Sequence, residues 1–144
     1  MKSLALLCLF AFPALAQSNP ACPGATGPNP HCTTVSWTAP AGGATPTGYN
    51  VYRATATGVC TWQGSTSGPI TPPAGCAKVA NSTAPTTTAT DNSSPANVLA
   101  EGTTYFYVVT SANSSGESAP SVEASAKIPV LLPGVPTNPG VVAH

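Results

Sequence analysis

Four cysteines carry the most definite chemistry in this sequence: Cys22, Cys32, Cys60 and Cys76. The fifth, Cys8, lies in the apolar leader described below, and the even number left in an exported chain reads as two disulfides. Three pairings are possible. Cys22–Cys32 with Cys60–Cys76 is favoured, because each of these closes a local Gly/Pro-rich loop. A loop like the second contributes roughly 3 kcal/mol in the chain-entropy picture. The alternative is a zinc site that adds His31 to the cysteines. The sequence has no Cys-x-x-Cys pair, and zinc ligands are normally spaced that way, so no metal is expected.

The remaining reactive side chains are sparse. A hydrolytic triad needs a base held by a carboxylate and facing a nucleophile. The only histidines are His31 and His144, and the only aspartate is Asp91. Serines are plentiful, but there is no Gly-x-Ser-x-Gly elbow, and the strand-to-helix setting of such an elbow is missing. Glu117 and Glu123 flank a turn, where carboxylates are usually solvated. Gly42-Gly43 lies between strands with no helix to follow, so it is not a phosphate loop. No Asp/Glu cluster suits calcium. The expectation is a protein with no catalytic residues and no cofactor. Asn81, Asn92 and Asn113 each open an Asn-x-Ser/Thr triplet, but Asn and Ser abound in the loops of this chain, which accounts for the triplets without glycosylation.

The chain opens with MKSLALLCLFAFPALA. Lys2 supplies a basic start, Leu4 to Phe12 an apolar stretch, and Ala14-Leu15-Ala16 a small-x-small cleavage site. Residues 1–16 therefore read as a signal peptide, with the mature chain starting at Gln17. The apolar run is well short of the roughly 20 residues that a spanning helix needs, so no membrane insertion is expected after cleavage. Beyond Gln17 only Arg53, Lys78 and Lys127 are basic, against Asp91, Glu101, Glu117 and Glu123, a net charge of −1. No basic patch can form, which argues against nucleic acid as a partner.

The elements that hold these residues are strands. No window shows sustained 3.6-residue apolar periodicity. Gly102 to Ser118 contains the most apolar strand, with Tyr105, Tyr107 and Val109 on one side and Phe106 and Val108 on the other. It closes on Asn113-Ser114-Ser115-Gly116, a turn sequence. Cys32–Trp37 puts Thr33, Val35 and Trp37 on one face. Gly48–Arg53 puts Tyr49 and Val51 on one face, with Asn50 and Tyr52 opposite. Ala77–Ala80 and Thr86–Asp91 are further strands. Ser121–Ile128 alternates, with Val122, Ala124, Ala126 and Ile128 expected inward.

Several of these segments carry a family resemblance. His31 to Pro40, followed by Thr47-Gly48-Tyr49-Asn50-Val51-Tyr52-Arg53, resembles the second and third strands of a fibronectin type III domain. Leu99-Ala100-Glu101-Gly102-Thr103-Thr104-Tyr105 is similar to that family's E–F corner, where the tyrosine hydroxyl bonds back to the preceding loop. Tyr107, Val109, Ser111, Asn113 and the stretch from Gly116 to Ser121 look like the sixth strand, the turn after it and the start of the seventh. The resemblance implies an all-β fold: a seven-stranded antiparallel immunoglobulin-like β-sandwich over residues 31–128. Residues 17–30 form an irregular lead-in, and residues 58–76 a disulfide-closed insertion. The core it implies is Val35, Trp37, Tyr49, Val51, Leu99, Tyr105, Tyr107, Val109 and Val122.

The outer face of the central sheet is the candidate binding face. Tyr52, Phe106 and Val108 should be neighbours there, and Trp62 on the insertion lies near. If open, this face could bind a partner or, through Tyr52, Trp62 and Phe106, stack on a glycan. If the insertion, which carries Trp62 and Ile70, folds over it, the face is core, and this second outcome is preferred. The expected function is a secreted, non-catalytic module for protein interaction, adhesion or spacing at the cell surface, with an unidentified protein or glycan as partner. Residues 129–144 carry four prolines and read as an extended tail. They resemble an opening strand, so self-association by tail-strand donation is a further possibility.

Overall fold

The computed structural model describes residues 22, 31–64, 67, 68, 70–92, 98–130, 132–137 and 142. Residues 1–16, expected to be a signal peptide, nearly all of the expected lead-in and most of the loop after Asn92 lie outside this set. Residues Cys22–Leu132 form one compact unit. A second unit combines Met1–Ala21 with Pro133–His144. Its described residues have no regular structure, and Val135 and Val142 are exposed.

All regular structure among the described residues is β. The strands are β1 (Cys32–Ser36), β2 (Gly48–Ala54), β3 (Ala77–Thr83), β4 (Thr88–Asn92), β5 (Thr104–Asn113), β6 (Gly116–Glu117) and β7 (Ala124–Lys127). β1 and β4 pair as a two-stranded antiparallel sheet. The other sheet runs β3-β2-β5, with β6 and β7 both paired to β5. The two sheets form an antiparallel sandwich of the immunoglobulin type. Seven strands arise in an unexpected way: the last strand is split in two, and no opening strand lies among the described residues.

β2 and β5 are antiparallel, with Val51 opposite Val109 and Tyr52 opposite Val108. Alternation then sorts their side chains. Tyr49, Val51, Tyr105, Tyr107 and Val109 turn toward the other sheet and build the main core with Leu99 and Ile128. Val35 and Trp37 of the facing sheet pack against it, only partly buried, and the Trp37 ring lies 5.2 Å from that of Tyr49. The corner expected before β5 is present: the Ala100 backbone N–H donates to the Tyr105 hydroxyl at 2.9 Å, and the hydroxyl faces the Val98 carbonyl at 3.4 Å. Gly102 makes the turn into the strand with φ +72°, a conformation that costs other residues more than glycine. Gly48 has a different role. A Cβ there would lie 2.9 Å from the Ser82 carbonyl oxygen on β3, so only glycine lets the two strands meet at that register.

Val122 is not in the core. It is 92% exposed, and Ala124 is exposed as well. The cause is an interruption in the pairing with β5. Ala112 faces Glu117 on β6, while Tyr107 faces Ala124 on β7. Five steps along β5 thus correspond to seven along the returning chain, which carries two extra residues. Between the two pieces Ser121 takes the place of a ladder residue. Its N–H donates to the Val109 carbonyl at 2.8 Å, and its hydroxyl accepts the Val109 N–H at 3.0 Å. Two extra residues leave the phase of alternation unchanged, and Val122 is exposed because it lies in the unpaired link between β6 and β7, next to Ser121.

Candidate functional site

The outer face of the five-stranded sheet is covered. Tyr52 and Val108 are each 2% exposed. They form a second apolar cluster with Ala54 and the Cys60–Cys76 disulfide, and Val59 and Trp62 pack on it. Trp62 meets Tyr52 edge to face at 5.2 Å. The insertion is held down further by Glu123, which accepts from the Thr57 hydroxyl at 2.6 Å and from the Gly58 N–H at 2.8 Å. Of the four residues expected on the binding face, Tyr52 and Val108 are therefore packing residues, while Phe106 and Trp62 are half-buried. Cys22 is joined to Cys32. With all four cysteines in disulfides, no thiolate of theirs is left for the zinc alternative. His31 is buried and lies 3.4 Å from a Glu101 carboxylate oxygen.

Two buried polar centres were not visible in the sequence as such. The first is inside the sandwich. The Asp91 carboxylate on β4 is fully buried and accepts from the Arg53 guanidinium at 2.8 Å and from the Tyr107 hydroxyl at 3.0 Å. Arg53 also stacks over the Tyr105 ring, 4.7 Å from its centroid. Arg53 shares its β2 phase with Tyr49 and Val51, and that phase is the sequence signal that could have placed it inside. Burial pushes the Tyr107 phenol well above its ordinary value, and the neighbouring Asp91 carboxylate adds to this.

The second centre is Glu117, on the outer face. It is not a solvated turn carboxylate as expected: it is 6% exposed and makes no pair with Glu123. Its Oε1 accepts from Asn50 Nδ2 at 2.9 Å, from the Tyr52 hydroxyl at 2.8 Å, and from the Thr110 hydroxyl. The donors sit on β2 and β5, where Asn50 and Thr110 are directly opposed. Burial alone would push the Glu117 carboxyl up. The donors Thr110, Asn50 and Tyr52, with the positive charge of Lys78, outweigh it and hold the group below the ordinary value of 4.5. Tyr52 moves the other way: burial raises its phenol, and donation to the Glu117 carboxylate raises it further.

Glu117 opens onto a groove of about 460 Å³, walled by Ile70 and Pro72 of the insertion on one side and by Asn113 and Ser114 of the β5–β6 turn on the other, with Lys78 at its rim. The groove offers hydrogen-bonding groups of both senses and an apolar wall, an arrangement suited to binding. Among the described residues no three His, Cys, Asp or Glu side chains gather as metal ligands would.

The family model for the fibronectin type III domain matches residues 18–127. Neither the curated proteins nor the solved structures show a match to the chain.

Proposed function

The chain belongs to the fibronectin type III family, and from that membership we propose that it acts as a non-catalytic module for protein interaction, adhesion or spacing, secreted or held at the cell surface. A fold of this kind hosts many functions, so the reading leans on one observation: the chain seals its own aromatic face. Tyr52 and Val108 lie beneath an insertion clamped by Cys60–Cys76, so the sheet is packed on both faces and its contacts fall to loops, edges or the groove beside Glu117. Broad aromatic stacking on a glycan is disfavoured for the same reason. Two disulfides suit an oxidising compartment, and among the described residues no helix is long and apolar enough to cross a membrane.

Fractionation of the producing cell tests this reading. The mature chain, beginning at Gln17, is expected outside the cytoplasm, with Cys22, Cys32, Cys60 and Cys76 all inert to alkylation until reduced. Recovery from the cytoplasm with the leader attached and reactive thiols overturns it.

A further inference from the structure

We propose that the groove beside Glu117 binds an uncharged polyol, of the class of a neutral saccharide. The proposal deepens the interaction-module reading and rests on it only for the setting outside the cell.

The two oxygens of the Glu117 carboxylate are used differently. Oε1 is saturated, with Asn50, Tyr52 and Thr110 all donating to it. Oε2 accepts from none of the described residues, although the side chain as a whole is 6% exposed and lines the groove. A carboxylate oxygen is a strong acceptor, and this one is not sealed from solvent but faces the groove, where a ligand hydroxyl can replace water. Three donors on neighbouring strands fix its direction, so a ligand meeting it would not have to order it first. Asn50 repeats the pattern. Its Nδ2 is committed to Glu117, and its Oδ1 has no partner among the described residues.

The charges around the groove narrow the ligand. Lys78 stands exposed at the rim, and its positive charge acts on Glu117. A cationic ligand drawn to Glu117 is opposed by Lys78, and an anionic ligand drawn to Lys78 is opposed by Glu117. Neighbouring hydroxyls on a neutral molecule satisfy both. Each hydroxyl donates and accepts, so it can give a proton to Oε2 or to Asn50 Oδ1 and accept from the Lys78 ammonium. Ile70 and Pro72 supply an apolar wall, which suits the C–H face of a sugar ring. The site takes Tyr52 for its hydroxyl and not for its ring, so it survives the burial of the aromatic face.

The test is a titration of the mature, oxidised protein with maltose, cellobiose and lactose, followed by amide NMR. At least one disaccharide is expected to bind with a Kd in about the millimolar range and to shift the Asn50 side-chain amide and the backbone amides of Gly116 and Glu117 saturably. Lys78→Met, a surface change that leaves the fold intact, is expected to weaken binding about tenfold, as loss of a charge-assisted hydrogen bond does. Glu117→Gln, where it folds, should weaken it at least as much. Three results overturn the proposal: no saturable shift with any of the three sugars, groove shifts produced only by ethylammonium or acetate, or undiminished affinity in the Lys78→Met protein. None of these outcomes touches export or disulfide state, so the groove can fail while the interaction-module reading stands.

Discussion

Asp91 is a fully buried carboxylate that ties β4 to Arg53 on β2 and Tyr107 on β5. Removing a partner from a buried ion pair leaves the opposite charge uncompensated, which typically costs 3–5 kcal/mol. Asp91→Ala strands the Arg53 guanidinium and the Tyr107 hydroxyl together, so a loss of about 4 kcal/mol is expected, read from the urea midpoint; a loss below about 1 kcal/mol would mean that the pair is structurally idle. Glu117 gives a pH signature instead. Its folded carboxyl lies below the ordinary value of 4.5. It therefore stabilises the protein above that value, and the contribution is lost as pH falls through the folded pKa. The stability gap between wild type and Glu117→Gln should be widest near neutral pH and should narrow in acid below about pH 4.5. A gap that stays constant across that range would count against the charged clasp. These two centres were the least legible part of the sequence. Asn50 and Tyr52 lie more than sixty positions before Glu117 in the chain, and alternation says which face a residue takes without saying whether something covers that face.

Strand by strand, the sequence was informative wherever period-2 alternation ran unbroken. The faces of β2 and β5 follow from it, whereas the buried Leu99 before the Tyr105 corner was expected from the family resemblance. It misled at Val122, where two extra residues and the Ser121 bonds to Val109 shift the ladder. Nothing in the Ser-Val-Glu-Ala alternation announces that strand pairing is interrupted there, with the Ser121 hydroxyl accepting from Val109 N–H in place of a carbonyl. The insertion was readable as a disulfide-closed loop, and its own apolar residues pointed to where it goes. Its clamp can be tested directly. Replacing Cys60 and Cys76 by alanine opens a loop of 16 residues and should cost roughly 3 kcal/mol. Acrylamide quenching of Trp62 should rise as the cover loosens over Tyr52. Unchanged quenching with full loss of the bond would mean that packing, not the disulfide, holds the insertion down.

At the scale of the whole molecule, the sandwich was legible because its signals are local and redundant: a corner tyrosine, paired strands and turn residues each pointed to the same architecture. The tail was not, since Leu132, Val135 and Val142 are exposed and an exposed apolar residue alone says little. Association through the tail predicts that the full-length mature chain sediments with a concentration-dependent shift, and that a chain ending at Ile128 does not. Two monomers over a wide concentration range would remove that idea. The split of the last strand has a consequence for solubility. A chain rich in threonine and valine, with a formal net charge of 0 at pH 7, has little electrostatic repulsion to keep sheets of neighbouring molecules apart. A long, flat sheet border would then act as a template for fibrous stacking. The register jump between Glu117 and Ala124 interrupts that border with a segment containing Pro120, and the opposite border carries Lys78 and lies beside the irregular pairing at Val51 and Tyr52. Neither border of this sheet offers an incoming strand a long uninterrupted row of amide groups, so its backbone irregularities oppose edge-to-edge growth there, where surface charge adds little.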